Sequence, residues 1–191
     1  MNNLPIIVAL TGASGAIYGI RTLQISNEIG IPTILLISRA ALITLKQETN
    51  ITPEELQSLA TYFYSYKDIT APISSGSYKT RGMIIAPCSA KSLASIANGF
   101  EENLISRAAS VTLKERKKLV VLFREAPLHL AHIENMAKVT KMGGLIFPPV
   151  PAFYNNPSNL HDVVDYTIYR TLDQFDIDCG TIKRWHGITK S

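Results

Sequence analysis

The side chains of this sequence that could do chemistry are concentrated in short polar segments, each of which directly follows an apolar run. These segments are Thr11–Gly15, Ser38, Ser89–Ser92, the pair Arg124 and Glu125, and the stretch from Pro149 to Tyr154. Hydroxyl, guanidinium and phenol groups are donors to phosphate and carbonyl oxygens, and a carboxylate can accept a proton. The set is therefore typical of a site for an acidic small molecule.

The first segment, Gly12-Ala13-Ser14-Gly15, opens a predicted helix. The free N–H groups and the positive dipole end at such a helix start suit a phosphate, and glycine lets the backbone approach it. The spacing is neither the G-x-G-x-x-G of dinucleotide-binding proteins nor the G-x-x-x-x-G-K-[ST] of nucleotide triphosphatases. A phosphate-binding turn and a purely structural turn therefore both stay open.

Three cations are candidates to bind an anion. Arg107 and Lys114 are seven residues apart on a predicted helix, so they project from one face about 10 Å apart. They could bind an anion there or simply decorate a solvated helix end. Arg124 follows a buried strand directly, which suits a two-pronged donor to a phosphate or to the carbonyl edge of a planar cofactor.

Two further candidates lie near the end of the sequence. Tyr154 follows the Pro-rich segment 148–153, which would hold its phenol in a fixed place. Arg170 flanks the apolar stripe of the last predicted helix, where it could bind an anion or lay its stem along the core.

The composition narrows the class of protein. The chain has 191 residues, of which 46% are hydrophobic and 18% charged, so we expect one domain over residues 1–191. A net charge of +4 is too small and too scattered to indicate nucleic-acid binding. The four histidines form no ligand set, and no stretch resembles a membrane helix or a signal peptide. Two distant cysteines favour a reducing cytoplasm.

Apolar runs without alternation predict strands that are covered on both faces. They alternate with segments of helical spacing, which indicates an α/β fold with a doubly wound parallel sheet in three layers. A Tyr-rich segment at 62–66 is ambiguous, and the tail 176–191 lacks periodicity and is expected to pack on a neighbouring subunit. The predicted strands are 5–10, 32–37, 82–86, 119–123 and 144–147, and the predicted helices are 17–29, 38–48, 90–97, 102–115, 129–142 and 160–175.

Ligands of open α/β sheets bind beyond the carboxyl ends of the strands. The polar segments named above all lie there, so the sequence predicts one crevice that they share. Seven motifs of the sequence together resemble the flavin prenyltransferase (UbiX) family over nearly the whole chain: Thr11–Gly19, Ser74–Ser77, Ala86–Ser92, Leu104–Ala109, Lys114–Arg116, Arg124–His129 and Pro148–Tyr154.

This resemblance implies a flavodoxin-like Rossmann fold that binds reduced FMN. It also implies an enzyme that joins the dimethylallyl group of dimethylallyl phosphate to flavin N5 and C6 and so makes prenylated FMN. The product would pass to a UbiD-type decarboxylase, as in ubiquinone or aromatic-acid metabolism. The protomers would assemble as a dodecamer with active sites at subunit junctions.

The resemblance also assigns residues. The expected FMN contacts, to which the helical spacing adds Arg107, are Gly12, Ala13, Ser14, Ser38, Ser89, Ala90, Lys91, Ser92 and Arg124. Tyr154 and Arg170, with Lys114 and Glu125, match prenyl-phosphate contacts, and Glu48 matches an acidic active-site position. Ser14, Glu48, Lys114, Glu125, Tyr154 and Arg170 are the expected catalytic residues. No aspartate-rich cluster for a magnesium-held diphosphate is present in the sequence, so no metal is expected.

Three other functions fit parts of this sequence. A flavin-dependent decarboxylase of the cysteine-decarboxylase type shares fold and cofactor but needs a histidine base and a substrate-clamping loop that the sequence does not assign. A non-catalytic flavin carrier is the second. A nicotinamide dehydrogenase ranks last, because the sequence has neither G-x-G-x-x-G nor an acidic residue placed to bind a ribose.

Overall fold

A computed structural model describes residues 4–180 of the chain, so most of the predicted tail lies outside the described residues. Six strands of this part form one sheet. They are β1 (Ile6–Leu10), β2 (Thr33–Ile37), β3 (Tyr62–Phe63), β4 (Gly82–Cys88), β5 (Lys118–Phe123) and β6 (Leu145–Ile146). The order is β3-β2-β1-β4-β5-β6 and every neighbouring pair is parallel. The predicted fold class is confirmed.

Helices cover both faces of this sheet. In chain order they are α1 (Ala16–Glu28), α2 (Arg39–Glu48), α3 (Pro53–Ser58), α4 (Ala90–Ala97), α5 (Leu104–Lys114), α6 (Leu130–Lys141) and α7 (Leu160–Asp173). Buried residues of α1, α2, α3 and α7 belong to one core cluster, and those of α4, α5 and α6 belong to a second cluster. The sheet separates the two, which gives the predicted three layers.

The strand β1 shows why these apolar runs do not alternate with polar residues. Ile6, Val8 and Leu10 pack in the first cluster, whereas Ile7 and Ala9 pack in the second. Successive side chains of a strand point to opposite faces. Because both faces are covered by helices, each position must be apolar, and all five residues of β1 are buried.

Three details differ from the expectation. Helix α3 was not predicted, although Thr52 and Glu55 exchange the two hydrogen bonds of a capping box at its start. The ambiguous Tyr-rich segment contains the short edge strand β3. In the tail, Ile177 is buried in the core of its own chain, and the packing of the tail on a neighbouring subunit stays a prediction.

The direction in which strands are added to the sheet reverses between β1 and β4. The chain adds β2 and β3 on one side of β1, and then returns to place β4 and β5 on the other. In open parallel sheets a crevice forms at such a switch point, at the carboxyl ends of the strands. None of the helices described within residues 4–180 is long and apolar enough to cross a bilayer.

Candidate active site

A cleft of about 700 Å³ lies at the carboxyl ends of the central strands. We call it the strand-end cleft. Residues that follow β1, β2, β4 and β5 line its mouth, and residues of α4 and α5 form its inner wall. Its lining includes seven of the predicted site residues, namely Gly12, Ser38, Ser89, Ala90, Lys91, Ser92 and Glu125.

Two helices begin at this cleft. Ser38 caps α2 by accepting a hydrogen bond from the N–H of Ala41 at 3.1 Å, and Ser89 caps α4 by accepting one from the N–H of Ser92 at 3.3 Å. The Ser89 hydroxyl also donates to Ser92 Oγ at 3.1 Å. The positive ends of both helix dipoles therefore meet at one place, and this arrangement suits an anion.

The loops around the cleft are joined by hydrogen bonds. The Thr11 hydroxyl donates to the carbonyl of Pro87 at 2.9 Å and accepts from the N–H of Ser89 at 2.7 Å. The N–H of Ser38 donates to the carbonyl of Leu10, and the N–H of Arg124 donates to that of Cys88. These bonds connect the ends of four strands and fix the positions of the site residues relative to one another.

Gly12 is glycine because α2 begins very close to it. A Cβ at this position would lie 2.3 Å from the Cβ of Ala40, which is closer than any real contact of this kind. The absence of a side chain therefore lets the start of α2 approach the loop after β1. This approach brings Ser38 to the same cleft as Ser89.

Glu48 occupies the start of α1. Its carboxylate accepts hydrogen bonds from the N–H groups of Gly15 and Ala16, each at 2.9 Å, and from the Ser14 hydroxyl. A carboxylate from α2 thus satisfies two N–H groups at this helix start, beside the segment Gly12–Gly15, whose contact with FMN stays a prediction. The structure thus brings together the two predicted catalytic residues Ser14 and Glu48.

The protonation of Glu48 follows from these contacts. Partial burial acts to raise the pKa of the carboxyl, but the two backbone N–H groups and the Ser14 hydroxyl outweigh it. The nearby charge of Arg124 acts in the same direction, so the pKa lies below its ordinary value. Glu48 is therefore ionised at neutral pH and able to accept a proton.

Arg124 stands on the exposed edge beside this carboxylate. Its charge acts on Glu48 and also on Tyr18 of α1, whose pKa is raised by burial and lowered to a smaller extent by Arg124. Glu125 points toward the strand-end cleft, where its carboxylate accepts a hydrogen bond from the N–H of Ala126 at 3.1 Å. After the carboxyl end of β5, Arg124 thus lies near Glu48, and the next residue, Glu125, lines the strand-end cleft.

Tyr154 and Arg170 form a second group, on the face of the sheet that α1 and α7 cover. The Tyr154 hydroxyl lies 2.7 Å from that of Tyr166, and Arg170 bonds Asp173 at 3.0 Å. The charge of Arg170 acts on both phenols. This group combines a phenol and a guanidinium, which are suitable donors to a phosphate.

Lys114 and Arg107 form a third group, on α5. Arg107 donates to the carbonyl of Ser74 at 3.0 Å and to Glu101 at 2.7 Å. Its role as an FMN contact stays a prediction. Lys114 pairs with Glu115 and lines a second cavity of about 450 Å³. Ser95, Ile96 and Ser106 line both this cavity and the strand-end cleft.

One chain therefore does not bring the whole predicted set together. Lys114 is on α5, which packs on one face of the sheet, whereas Arg170 is on α7, which packs on the other. The predicted prenyl-phosphate residues are thus divided between two separate surfaces.

Sequence reasoning missed several residues that line the cleft. Arg39 directly follows Ser38 at a strand end, so the same rule that indicated Ser38 could have found it. Asn103 could have been found as the cap of α5, because its Oδ1 accepts hydrogen bonds from the N–H groups of Ile105 and Ser106. No signal in the sequence distinguishes four further lining residues from ordinary core or surface residues; they are Ile43, Tyr66, Ser95 and Ser106.

The residues present do not suggest a metal centre. Among residues 4–180, no three His, Cys, Asp or Glu side chains are grouped so that they could hold an ion. Cys88 lies buried beside the cleft, and burial raises the pKa of its thiol. It is a packing residue at the end of β4 rather than a nucleophile.

The fold and the cleft define a flavoprotein-type α/β domain, and the comparisons agree. Residues 1–172 match the family described as Flavoprotein. The chain is 56% identical to the probable UbiX-like flavin prenyltransferase of Bacillus subtilis (strain 168), over 97% of this chain and 91% of that protein. It therefore belongs to the UbiX flavin prenyltransferase family.

Two solved structures are similar throughout. AnUbiX (PadA1), in complex with FMN and dimethylallyl pyrophosphate, superposes with a TM-score of 0.95 at 46% identity and covers 97% of this chain and 99% of its own. A dodecameric FMN-dependent UbiX-like decarboxylase from Escherichia coli O157:H7 gives 0.93 at 42% identity, with 96% and 100% covered. Both likenesses cover nearly the whole chain.

Proposed function

We propose that this protein is a flavin prenyltransferase that joins the dimethylallyl group of dimethylallyl phosphate to N5 and C6 of reduced FMN. The observation that carries the proposal is the meeting of four strand ends and two helix starts at the strand-end cleft, next to the ionised Glu48 and the Ser14 hydroxyl that donates to it. The relative with FMN and dimethylallyl pyrophosphate bound supports the same pair of ligand classes.

FMN fits the strand-end cleft as a substrate. Its phosphate would lie at the joint starts of α2 and α4, where Ser38, Ser89 and Ser92 offer hydroxyl groups. The isoalloxazine edge would lie toward Arg124, whose planar guanidinium can donate to its carbonyl oxygens. The predicted FMN contacts at Gly12–Gly15 stay part of the proposal, and Glu48 binds the N–H groups of Gly15 and Ala16 beside them.

The transfer would form the bond from flavin N5 to the allylic carbon as the allylic C–O bond breaks, and the phosphate would leave with the electron pair. Ring closure at C6 would add one proton to the remaining C=C bond, while the protons of flavin N5 and C6 are lost. Tyr154, Arg170 and Lys114 would stabilise the growing charge on this phosphate by charge-assisted hydrogen bonds. The proton released at flavin C6 has two carboxylates as candidate acceptors, Glu48 and Glu125, and the departing phosphate is a third. No metal ion enters this scheme.

We propose further that the protein works as a homo-oligomer, in which one protomer supplies α5 and another supplies α7 to each site. The separation of Lys114 from Tyr154 and Arg170 within one chain supports this, as does the dodecameric relative.

The prenylated FMN would serve a UbiD-type decarboxylase. Two free cysteines suit a cytoplasmic location, and we treat residues 1–191 as one flavin-binding domain.

The test is a single turnover with reduced FMN and dimethylallyl phosphate under anaerobic conditions, followed by mass analysis of the flavin. We expect a flavin heavier by one C5H8 unit. Recovery of unchanged FMN would instead indicate a carrier, and release of CO2 from a peptide with a C-terminal cysteine would indicate the decarboxylase alternative.

Substitutions can distinguish the FMN part of the proposed site from the prenyl-phosphate part. Tyr154→Phe and Arg170→Ala should keep FMN affinity and lower the prenylation rate by about 10²- to 10³-fold, as is typical of losing one preorganised donor. Arg124→Ala should weaken FMN binding in equilibrium dialysis, with the exposed Arg116→Ala as a matched control. Wild-type rates in the first two variants would remove them from the site.

A further inference from the structure

Tyr166 is the direct partner of the phenol that we place at the prenyl phosphate. The two hydroxyl oxygens are 2.7 Å apart, and either can be the donor. The rings meet edge to face, with centroids 6.4 Å apart and planes at 88°. Tyr166 also lies four residues before Arg170 on α7, so the two share one face of the helix.

The two phenols differ in how firmly they are held. Tyr154 lies on a short helical turn (Phe153–Asn155) and is 60% exposed. Tyr166 is half-buried on α7, and its neighbour Asp165 accepts two hydrogen bonds from Arg21 of α1, at 2.7 and 2.8 Å. This two-pronged bond fixes α7 against α1. The position of the Tyr154 hydroxyl is therefore set by the more rigid Tyr166.

The substrate decides the direction of the hydrogen bond. A phenol has one proton to donate and lone pairs that accept. A phosphate monoester dianion only accepts, so the proton of Tyr154 must turn toward it. A lone pair of Tyr154 Oη can then accept, and the Tyr166 hydroxyl, 2.7 Å away, can donate to it.

We infer that Tyr166 is a positioning residue for prenyl transfer: its hydroxyl donates to Tyr154 Oη and so orients the Tyr154 proton toward the phosphate. The inference rests on the proposed function. A hydrogen bond received by a hydroxyl makes that hydroxyl a better donor. The stabilisation from Tyr154 therefore grows as negative charge develops on the leaving phosphate, when it is most useful.

The test is the single-turnover rate of Tyr166→Phe, measured in the wild-type chain and in the Tyr154→Phe chain, with FMN affinity determined in parallel. The substitution removes only the hydroxyl and keeps the ring contact. We expect a rate lower by about three- to tenfold in the wild-type background, the effect of one neutral hydrogen bond, and FMN affinity unchanged. In the Tyr154→Phe background we expect no further loss.

Tyr169→Phe, which removes a hydroxyl from the same helix outside the pair, is the matched control and should keep the wild-type rate. If Tyr166→Phe does not fold, 3-fluorotyrosine at position 166 makes the donor more acidic and should raise the rate. An equal loss in both backgrounds, or an unchanged rate with either substitution, would overturn the inference while leaving the proposed function intact. A wild-type chain that forms no prenylated flavin would overturn both.

Discussion

The carboxylate of Glu48 does at the start of α1 what a capping side chain does elsewhere. The residue before the helix is Gly15, which has no side chain to offer and adopts φ of 109°, a left-handed conformation that favours glycine. Two N–H groups at the helix start are therefore satisfied from another helix. One carboxylate thus combines a structural role with a candidate catalytic one.

This dual role gives a stability prediction. Glu48→Gln should lower the free energy of unfolding at about pH 7 by about 0.3–1 kcal/mol, the usual effect of an anion at a helix start. The pKa of Glu48 is lower in the folded chain than in the unfolded chain, so the stabilisation is present above the unfolded pKa and is lost as pH falls through the folded pKa. Urea unfolding of both chains measures the difference.

The same experiment near pH 3 separates charge from shape. The advantage of wild type over Glu48→Gln should shrink there, because the carboxyl of the unfolded chain is protonated and the ionic stabilisation is lost as pH falls toward the lowered pKa of the folded chain. Glu134→Gln is the matched control, since Glu134 is exposed in the interior of α6, away from the helix start. A difference between wild type and Glu48→Gln that stays the same at both pH values would contradict the ionic account.

Residues that follow strands were the most predictable part of the site. Ser38, Ser89 and Glu125 line the strand-end cleft as the strand-end rule predicted. The position of Glu48 beside Gly15 was not predictable from spacing, because the two are 33 residues apart and meet only through the packing of α2 on α1. Only the family resemblance had marked Glu48 for the site.

At the scale of elements, the close contact between α1 and β4 depends on Gly19. A Cβ at this position would lie 2.5 Å from the carbonyl oxygen of Ala86 and 2.5 Å from Cγ of Leu10. The backbone oxygen cannot move aside without shifting the strand. The helix and the strand that flank the switch point are therefore held together at a distance that only glycine permits.

Gly19→Ala should accordingly destabilise the protein, although the same change in an open helix favours folding. We expect a loss of about 1–3 kcal/mol in the free energy of unfolding, the typical effect of overpacking. The exposed Asn27→Ala on the same helix serves as control and should be neutral or slightly stabilising. Equal or greater stability of Gly19→Ala in urea unfolding would show that α1 can shift away at little cost.

The elements themselves were predictable to different degrees. The central strands were evident, because burial on both faces demands uninterrupted apolar runs. Of the two edge strands, β6 lies within the predicted strand 144–147, whereas β3 has only two residues, both exposed, and shows no apolar run that would mark it as a strand. Phe175 belongs to the apolar stripe predicted for the last helix and is buried, yet α7 ends at Asp173, because packing alone does not require helical backbone.

At the scale of the whole molecule, exposed apolar side chains surround the proposed prenyl-phosphate group. Val150 is 72% exposed, and Phe153 and Leu160 are each 73% exposed. On the opposite face of the sheet, Leu130 and Ile133 of α6 are exposed as well. Contact with further copies of the chain would remove this apolar surface from water.

The whole-molecule prediction concerns sites shared between protomers, and it is tested by mixing two inactive chains. Lys114→Ala and Tyr154→Phe should each lower the prenylation rate strongly when pure. If α5 and α7 of one site come from different protomers, random co-assembly of equal amounts gives about a quarter of the sites both wild-type residues. Co-expressed, doubly tagged oligomers should therefore recover about a quarter of the wild-type rate.

The activity of the mixed oligomers decides between a site shared by two protomers and a site formed by one protomer alone. If one chain supplied both residues to its own site, every site would carry one substitution and mixing would restore nothing. A chain that carries both substitutions, mixed with either single variant, provides the matched control, because no site of such a particle can then hold both wild-type residues. Light scattering on the same samples should show a large oligomer, and a fully active particle of 21.0 kDa would contradict the shared site at once.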